Sequence, residues 1–143
     1  MSQKILPTLL VCFALLAGYF APNLLELMKS ETHSVDLDDY CMLSTLPCKN
    51  NDVTLVIEHD VIKPLEPTQI FVVWPDTKAK SLALKIRGLE MDMGVTKFRL
   101  DGQGNGQFEG EIMLPVCTLD AMTWYGQLSD GQKEVQTALR MKR

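Results

Sequence analysis

FRLDGQGNGQFEGEIML, residues 98–114, is the stretch whose reading decides the fold class. Phe98 and Leu100 alternate with polar neighbours, and beyond DGQGNG apolar positions return at Phe108, Ile112 and Leu114. The central glycines supply the positive φ values that a hairpin connection requires, so the stretch reads as two antiparallel strands. Pro115 stops the ladder because it has no N–H to donate.

The same period of two runs outward from this hairpin in both directions. Val53, Leu55 and Ile57 alternate with polar residues, and Ile70, Val72 and Trp74 lie in a β-branched and aromatic run that ends at Pro75. Pro64 and Pro67 between these runs exclude a central strand or a helix interior there. Leu82, Leu84 and Ile86 face one way, with Lys85 and Arg87 opposite. Past Gly88 the apolar phase slips by one residue to Leu89, Met91 and Met93, which a β-bulge at the glycine would produce. Without a bulge, Met91 and Met93 share the face of Lys85 and Arg87.

On the C-terminal side, Met122, Trp124 and Leu128 resume the alternation, Ser129–Gln132 turn the chain, and Val135, Thr137 and Leu139 form a last strand. The basic tail RMKR is expected to fray. The pattern of about seven short strands without helical periodicity predicts an all-β domain over residues 51–143, an immunoglobulin-like antiparallel β-sandwich.

Residues 1–28 have a different character. The predominantly apolar run 5–28 has 24 residues, enough for about 36 Å of helix. Tyr19 and Phe20 stand where a signal peptidase needs small residues, and no cysteine follows Leu15–Gly18 to accept a lipid, so an uncleaved transmembrane helix is expected. Lys4 precedes the run and Glu26, Glu31, Asp36, Asp38 and Asp39 dominate after it. That asymmetry predicts a single-pass protein of a bacterial inner membrane with its C-terminal domain in the periplasm. Residues 29–50 then read as an acidic tether followed by a Cys-x6-Cys loop.

Of the four cysteines, Cys12 lies in the apolar run, leaving Cys41, Cys48 and Cys117 in the exported part. Three thiols cannot all pair. Either Cys41 bonds Cys48 across a small loop, or one of them bonds Cys117, and spacing leaves both open.

A net charge of -4 with scattered Lys and Arg lacks the basic footprint that phosphate binding needs, which excludes nucleic acid as a partner. There is no Cys-x-x-Cys, His-Glu-x-x-His, Gly-x-Ser-x-Gly or P-loop pattern. Glu109 and Glu111 alternate with apolar residues on the outward face of a strand and read as a solvated edge. No enzymatic activity is expected.

Soft sulfur is the one unusual chemical feature. Met91 and Met93, two apart on an expected strand, would send both thioethers from the same face, about 7 Å apart at Cα. Cys117 and Met122, five apart around a loop, would complete a three- or four-sulfur set, and such ligands select Cu(I). A thioether has no proton to lose, so the site would hold copper without the pH dependence of thiolate or imidazole. The same Met-x-Met is also what an ordinary sandwich core contains, because methionine fills irregular gaps. The histidines, His33 and His59, do not cluster with the sulfurs.

The blocks Cys41-x6-Cys48, Gly88-x-x-Met91-x-Met93-Gly94, Gly106-x-Phe108-x-Gly110 and Leu114-Pro-Val-Cys117-x4-Met122-x-Trp124 resemble membrane-anchored proteobacterial proteins distantly similar to the FixH/YtkA-like group. The resemblance covers most of the chain from Cys41 onward. It implies an immunoglobulin-like periplasmic sandwich associated with assembly of respiratory haem-copper oxidases and with copper handling. FixH itself has a different membrane and cysteine arrangement, so fold and methionine pattern are what carry over. Two functions are thus expected in competition. One is binding or transfer of Cu(I) through Met91, Met93, Cys117 and Met122 in cytochrome oxidase assembly, with a respiratory oxidase or copper-delivery protein as partner. The other is a metal-free interaction module bracing a membrane complex.

Overall fold

A computed structural model describes residues Val35–Arg143. The expected anchor over 1–28, with His33 and the first part of the tether, lies outside the described residues. No helix among the described residues is long and apolar enough to cross a membrane.

Among the described residues, ten strands follow a 3-10 turn at Leu37–Asp39. They are β1 Cys41–Met42, β2 Cys48–Asn50, β3 Val53–Ile57, β4 Val61–Ile62, β5 Thr68–Val73, β6 Ser81–Gly88, β7 Val95–Gly104, β8 Gln107–Ile112, β9 Ala121–Ser129 and β10 Glu134–Lys142. The domain is all-β, as the alternation predicts. Its hydrogen bonding runs through one sheet in the order β1-β10-β9-β6-β7-β8-β5-β3-β2, with β4 also on β10. The expectation of about seven strands in two sheets missed β1, β2 and β4, which are two or three residues long and too short to show a period. Pairing is antiparallel except where β1 and β4 lie parallel to β10.

The sheet almost closes on itself. Leu43 N donates to Ala138 O at 2.7 Å, and Ile57 N donates to Ser44 O at 3.0 Å, so residues 43 and 44 bridge β10 to β3. The Cys41–Cys48 disulfide, with 5.9 Å between its Cα atoms, ties β1 to β2 at the two ends of the strand order. Of the two pairings that the spacing allowed, the local one forms, and Cys117 is free. The Cys-x6-Cys loop is thereby part of the sheet, and Cys41 and Leu43 join the core.

Inside, the expected faces meet. Leu55, Ile70, Leu84, Leu100, Ile112, Trp124 and Leu128 are all fully buried, each on the inward phase of its strand. At about 25 cal/mol per Å² of buried apolar surface, this continuous core is the main term that opposes chain entropy. The hairpin read from residues 98–114 is formed by β7 and β8. Asn105 and Gly106, at φ 52° and 71°, make its two-residue connection, the backbone signature of a type I′ turn. A register shift between Gly102 and Gly104 puts a bulge just before that turn.

Candidate functional site

The chain leaves β6 at Gly88, and residues 89–94 form the connection to β7. Leu89 N donates to Thr123 O at 2.9 Å, and Thr123 N donates to Glu90 Oε2 at 2.7 Å, which laces the connection to β9. Gly94 N donates to Asp92 Oδ1 at 2.9 Å while Gly94 takes φ 76°, an Asx-type turn closed by glycine. Met91 and Met93 are therefore turn residues, half-buried and packed against the core. Residues 89–94 are not a strand, so the strand geometry expected for Met91 and Met93 does not occur. The phase slip at Gly88 is the end of a strand, not a bulge, and the Asp92–Gly94 spacing is the turn signal behind it.

Met122, on β9, is 2% exposed. A Cβ added to Gly88 would run into Met122 Cε and the Met91 carbonyl oxygen and would lie 3.5 Å from Met122 Sδ. The Met122 thioether and the Met91 backbone thus converge over Gly88, and only a residue without a Cβ allows that approach. Beside this group, the indole N–H of buried Trp124, opposite Gly88 in register, has no hydrogen-bond acceptor among the described residues.

Cys117 is 5% exposed, and its Sγ donates to Leu119 O at 3.4 Å. Its carbonyl accepts from Arg143 Nη2 at 2.6 Å, and Arg143 N donates to Asp120 O at 2.9 Å. The tail expected to fray is instead a strand through Lys142, with Met141 buried and Arg143 clamping the 117–120 loop. Of the sulfur residues singled out by sequence, Met91 and Met93 lie on the connection that follows β6 and Met122 packs against Gly88 at its end, while the Cys117 thiol is engaged by its own loop. The Met122 side chain is buried in the hydrophobic core, a position in which a polarizable thioether fills irregular space. Among the described residues no three His, Cys, Asp or Glu side chains converge, and His59 is exposed. Glu109 and Glu111 are exposed, as expected, but on a strand inside the sheet between β5 and β7.

Sequence reasoning missed a second feature, on the outer face of β10, β9, β6 and β7. Register places Lys85 between Gln127 and Lys97, and Arg87 between Tyr125 and Val95. Lys85, Arg87, Val95, Tyr125 and Gln127, with Tyr40 and Gln136, border a depression of about 240 Å³. Tyr40 and Tyr125 meet edge to face, ring centroids 6.0 Å apart. Burial, then Tyr125 and Asp39, push the Tyr40 phenol above its ordinary pKa. Lys85 and Arg87 were legible as an outward pair, but their neighbours come from three other strands and from the segment before β1.

A further cleft of about 420 Å³ lies between Trp74, Asp76, Lys78, Asp130 and Lys133. Asp130 Oδ1 accepts from Lys133 N at 2.7 Å and Gln132 N at 2.9 Å, and its Oδ2 accepts from Thr77 Oγ1 at 2.8 Å. Burial works against the Asp130 carboxylate, but these hydrogen bonds outweigh it and hold its pKa below the ordinary value. No protein-family model, curated protein or solved structure matches this chain.

Proposed function

We propose that this protein is a non-catalytic, metal-free interaction module, tethered to a bacterial inner membrane through residues 1–28, whose periplasmic β-domain braces a membrane complex. The observation that carries the reading is the burial of Met122 and Cys117, at 2% and 5% exposure, in ordinary packing and hydrogen-bonding roles. The resemblance to FixH/YtkA-like proteins points to an oxidase-assembly complex as the one braced. The immunoglobulin-like relationship belongs to the same reading. Support for it comes from the all-β pattern in which alternate side chains of successive strands enter one core, although here a single, nearly closed sheet encloses it.

A second reading, Cu(I) binding with delivery to a respiratory oxidase or copper-delivery protein, is favoured by one observation. Met91 and Met93 are half-buried against the core on the connection whose Met91 carbonyl meets the Met122 thioether over Gly88, and thioethers are the donors that select a soft ion. Titrating the reduced full chain with Cu(I) against a chromophoric chelator separates the two. The interaction module leaves the copper with the chelator, and M91L/M93L behaves as the parent does. One equivalent per chain withheld from the chelator by the parent and released by M91L/M93L would establish the copper reading instead.

A further inference from the structure

The β6–β7 face carries a charge arrangement that folding by itself does not favour. Lys85 and Lys97 are directly opposite across the two strands, with Arg87 two residues along β6 and Arg99 two residues along β7. Like charges directly opposite one another destabilise a sheet. Among the described residues only Arg99 of these four has an acidic partner, Asp101 at 2.8 Å. Three unpaired cations thus share one small face of a protein whose net charge is -4.

The surroundings of these cations suit a peptide better than a bare ion. Arg87 lies between Tyr125 and Val95, and Val95 is 50% exposed. Guanidinium holds a carboxylate in a two-point fork, and tyrosine and arginine are both enriched where interfaces draw their binding energy. Gln127 and Gln136 lie side by side across β9 and β10, and with Gln127 Nε2 donating to Glu134 Oε1 at 2.7 Å, the Gln127 carbonyl and the Gln136 amide remain for a main chain. No strand edge is open here, since β6, β7 and β9 are each paired on both sides, so recognition is through side chains.

We propose that the depression bounded by Tyr40, Lys85, Arg87, Val95 and Tyr125 docks an extended acidic segment of a partner protein, its carboxylates on Lys85 and Arg87 and a neighbouring apolar side chain against Val95 and Tyr125. The proposal rests on the interaction-module reading and names the chemistry of its partner. Asp36, Asp38 and Asp39 lead into Tyr40 at the rim. Their charge opposes an anionic bilayer laid flat over the whole face.

The test uses the full chain in phosphatidylcholine nanodiscs and a fluorescent Asp/Glu-rich peptide containing one Phe. Binding is expected to weaken about tenfold or more in K85E/R87E, and to change little in K49E/K63E, which alters net charge equally at other exposed sites. Both variants substitute outward residues, and unchanged thermal unfolding checks that each is folded. Equal weakening in the two variants, or no binding by the parent, overturns the proposal. So does loss of peptide binding when the discs are phosphatidylglycerol, which gives the face to the bilayer. Concentration-dependent self-association that K85E/R87E abolishes gives it to a second copy, whose Glu109 and Phe71 pair on the opposite side. None of these residues is among the sulfur ligands, so the copper titration and the peptide measurement fail independently.

Discussion

Gly88 is the residue on which the candidate sulfur site turns. Its missing side chain lets the Met122 thioether and the Met91 carbonyl lie against the end of β6. Gly88→Ala is expected to destabilise the domain by about 1–3 kcal/mol through overpacking, and Met122→Ala by about 2–5 kcal/mol through the cavity it leaves. Because the new methyl would occupy part of that cavity, the double variant should lose clearly less than the two losses combined. Urea unfolding of the four proteins measures the coupling, and strict additivity would show that Gly88 and Met122 do not share this space.

At the scale of elements, the turns carry as much information as the strands. Asn105–Gly106 joins β7 to β8 with two positive φ values, and Trp74 N donates to Gly106 O at 2.7 Å, which also ties the hairpin tip to the end of β5. The turn between β9 and β10 is built on Asp130, whose carboxylate gathers two backbone N–H groups and the Thr77 hydroxyl. Its folded pKa is depressed below the usual 3.8. The stability it contributes is therefore fully present above the unfolded-state value and is lost as pH falls through the lower folded value. The thermal midpoint should decline on acidification below about pH 4, and Asp130→Asn should flatten that decline while leaving a lower plateau at neutral pH. Parallel acid profiles for the two proteins would show that Asp130 is not a source of the dependence. Alternation and the Asn-Gly signal made this layer legible in advance. The Asp92–Gly94 turn was equally local, but the apolar spacing of Leu89, Met91 and Met93 imitated a strand across it.

For the whole molecule, the decisive link is the one that joins the ends of the sheet. The Cys41–Cys48 bond and the bridge of residues 43 and 44 convert a ten-strand ribbon into a nearly closed wall around one core. Cys41→Ser with Cys48→Ser removes a cross-link over a short loop, a loss of about 2.5 kcal/mol on the chain-entropy account. Hydrogen exchange should locate the effect. The Leu43 and Ile57 amides are expected to lose protection first, ahead of the β6 and β9 amides at the middle of the sheet. Uniform loss of protection across all strands would mean that closure and core melt as one unit.

Composition and period alone determined that residues from Val53 onward form an all-β domain, which side chains enter its core, and where the hairpin of residues 98–114 bends. Those properties depend on neighbours one to four positions apart, and on the fixed alternation of side chains along an extended backbone. Only the tertiary structure decided the strand order, the pairing of Cys41 with Cys48, the burial of Cys117 beneath Arg143, and the gathering of Tyr40, Lys85, Arg87 and Tyr125 on one face. Each of these is a choice among partners far apart in the chain, made by the packing of the whole core, and a local pattern contains no record of that choice.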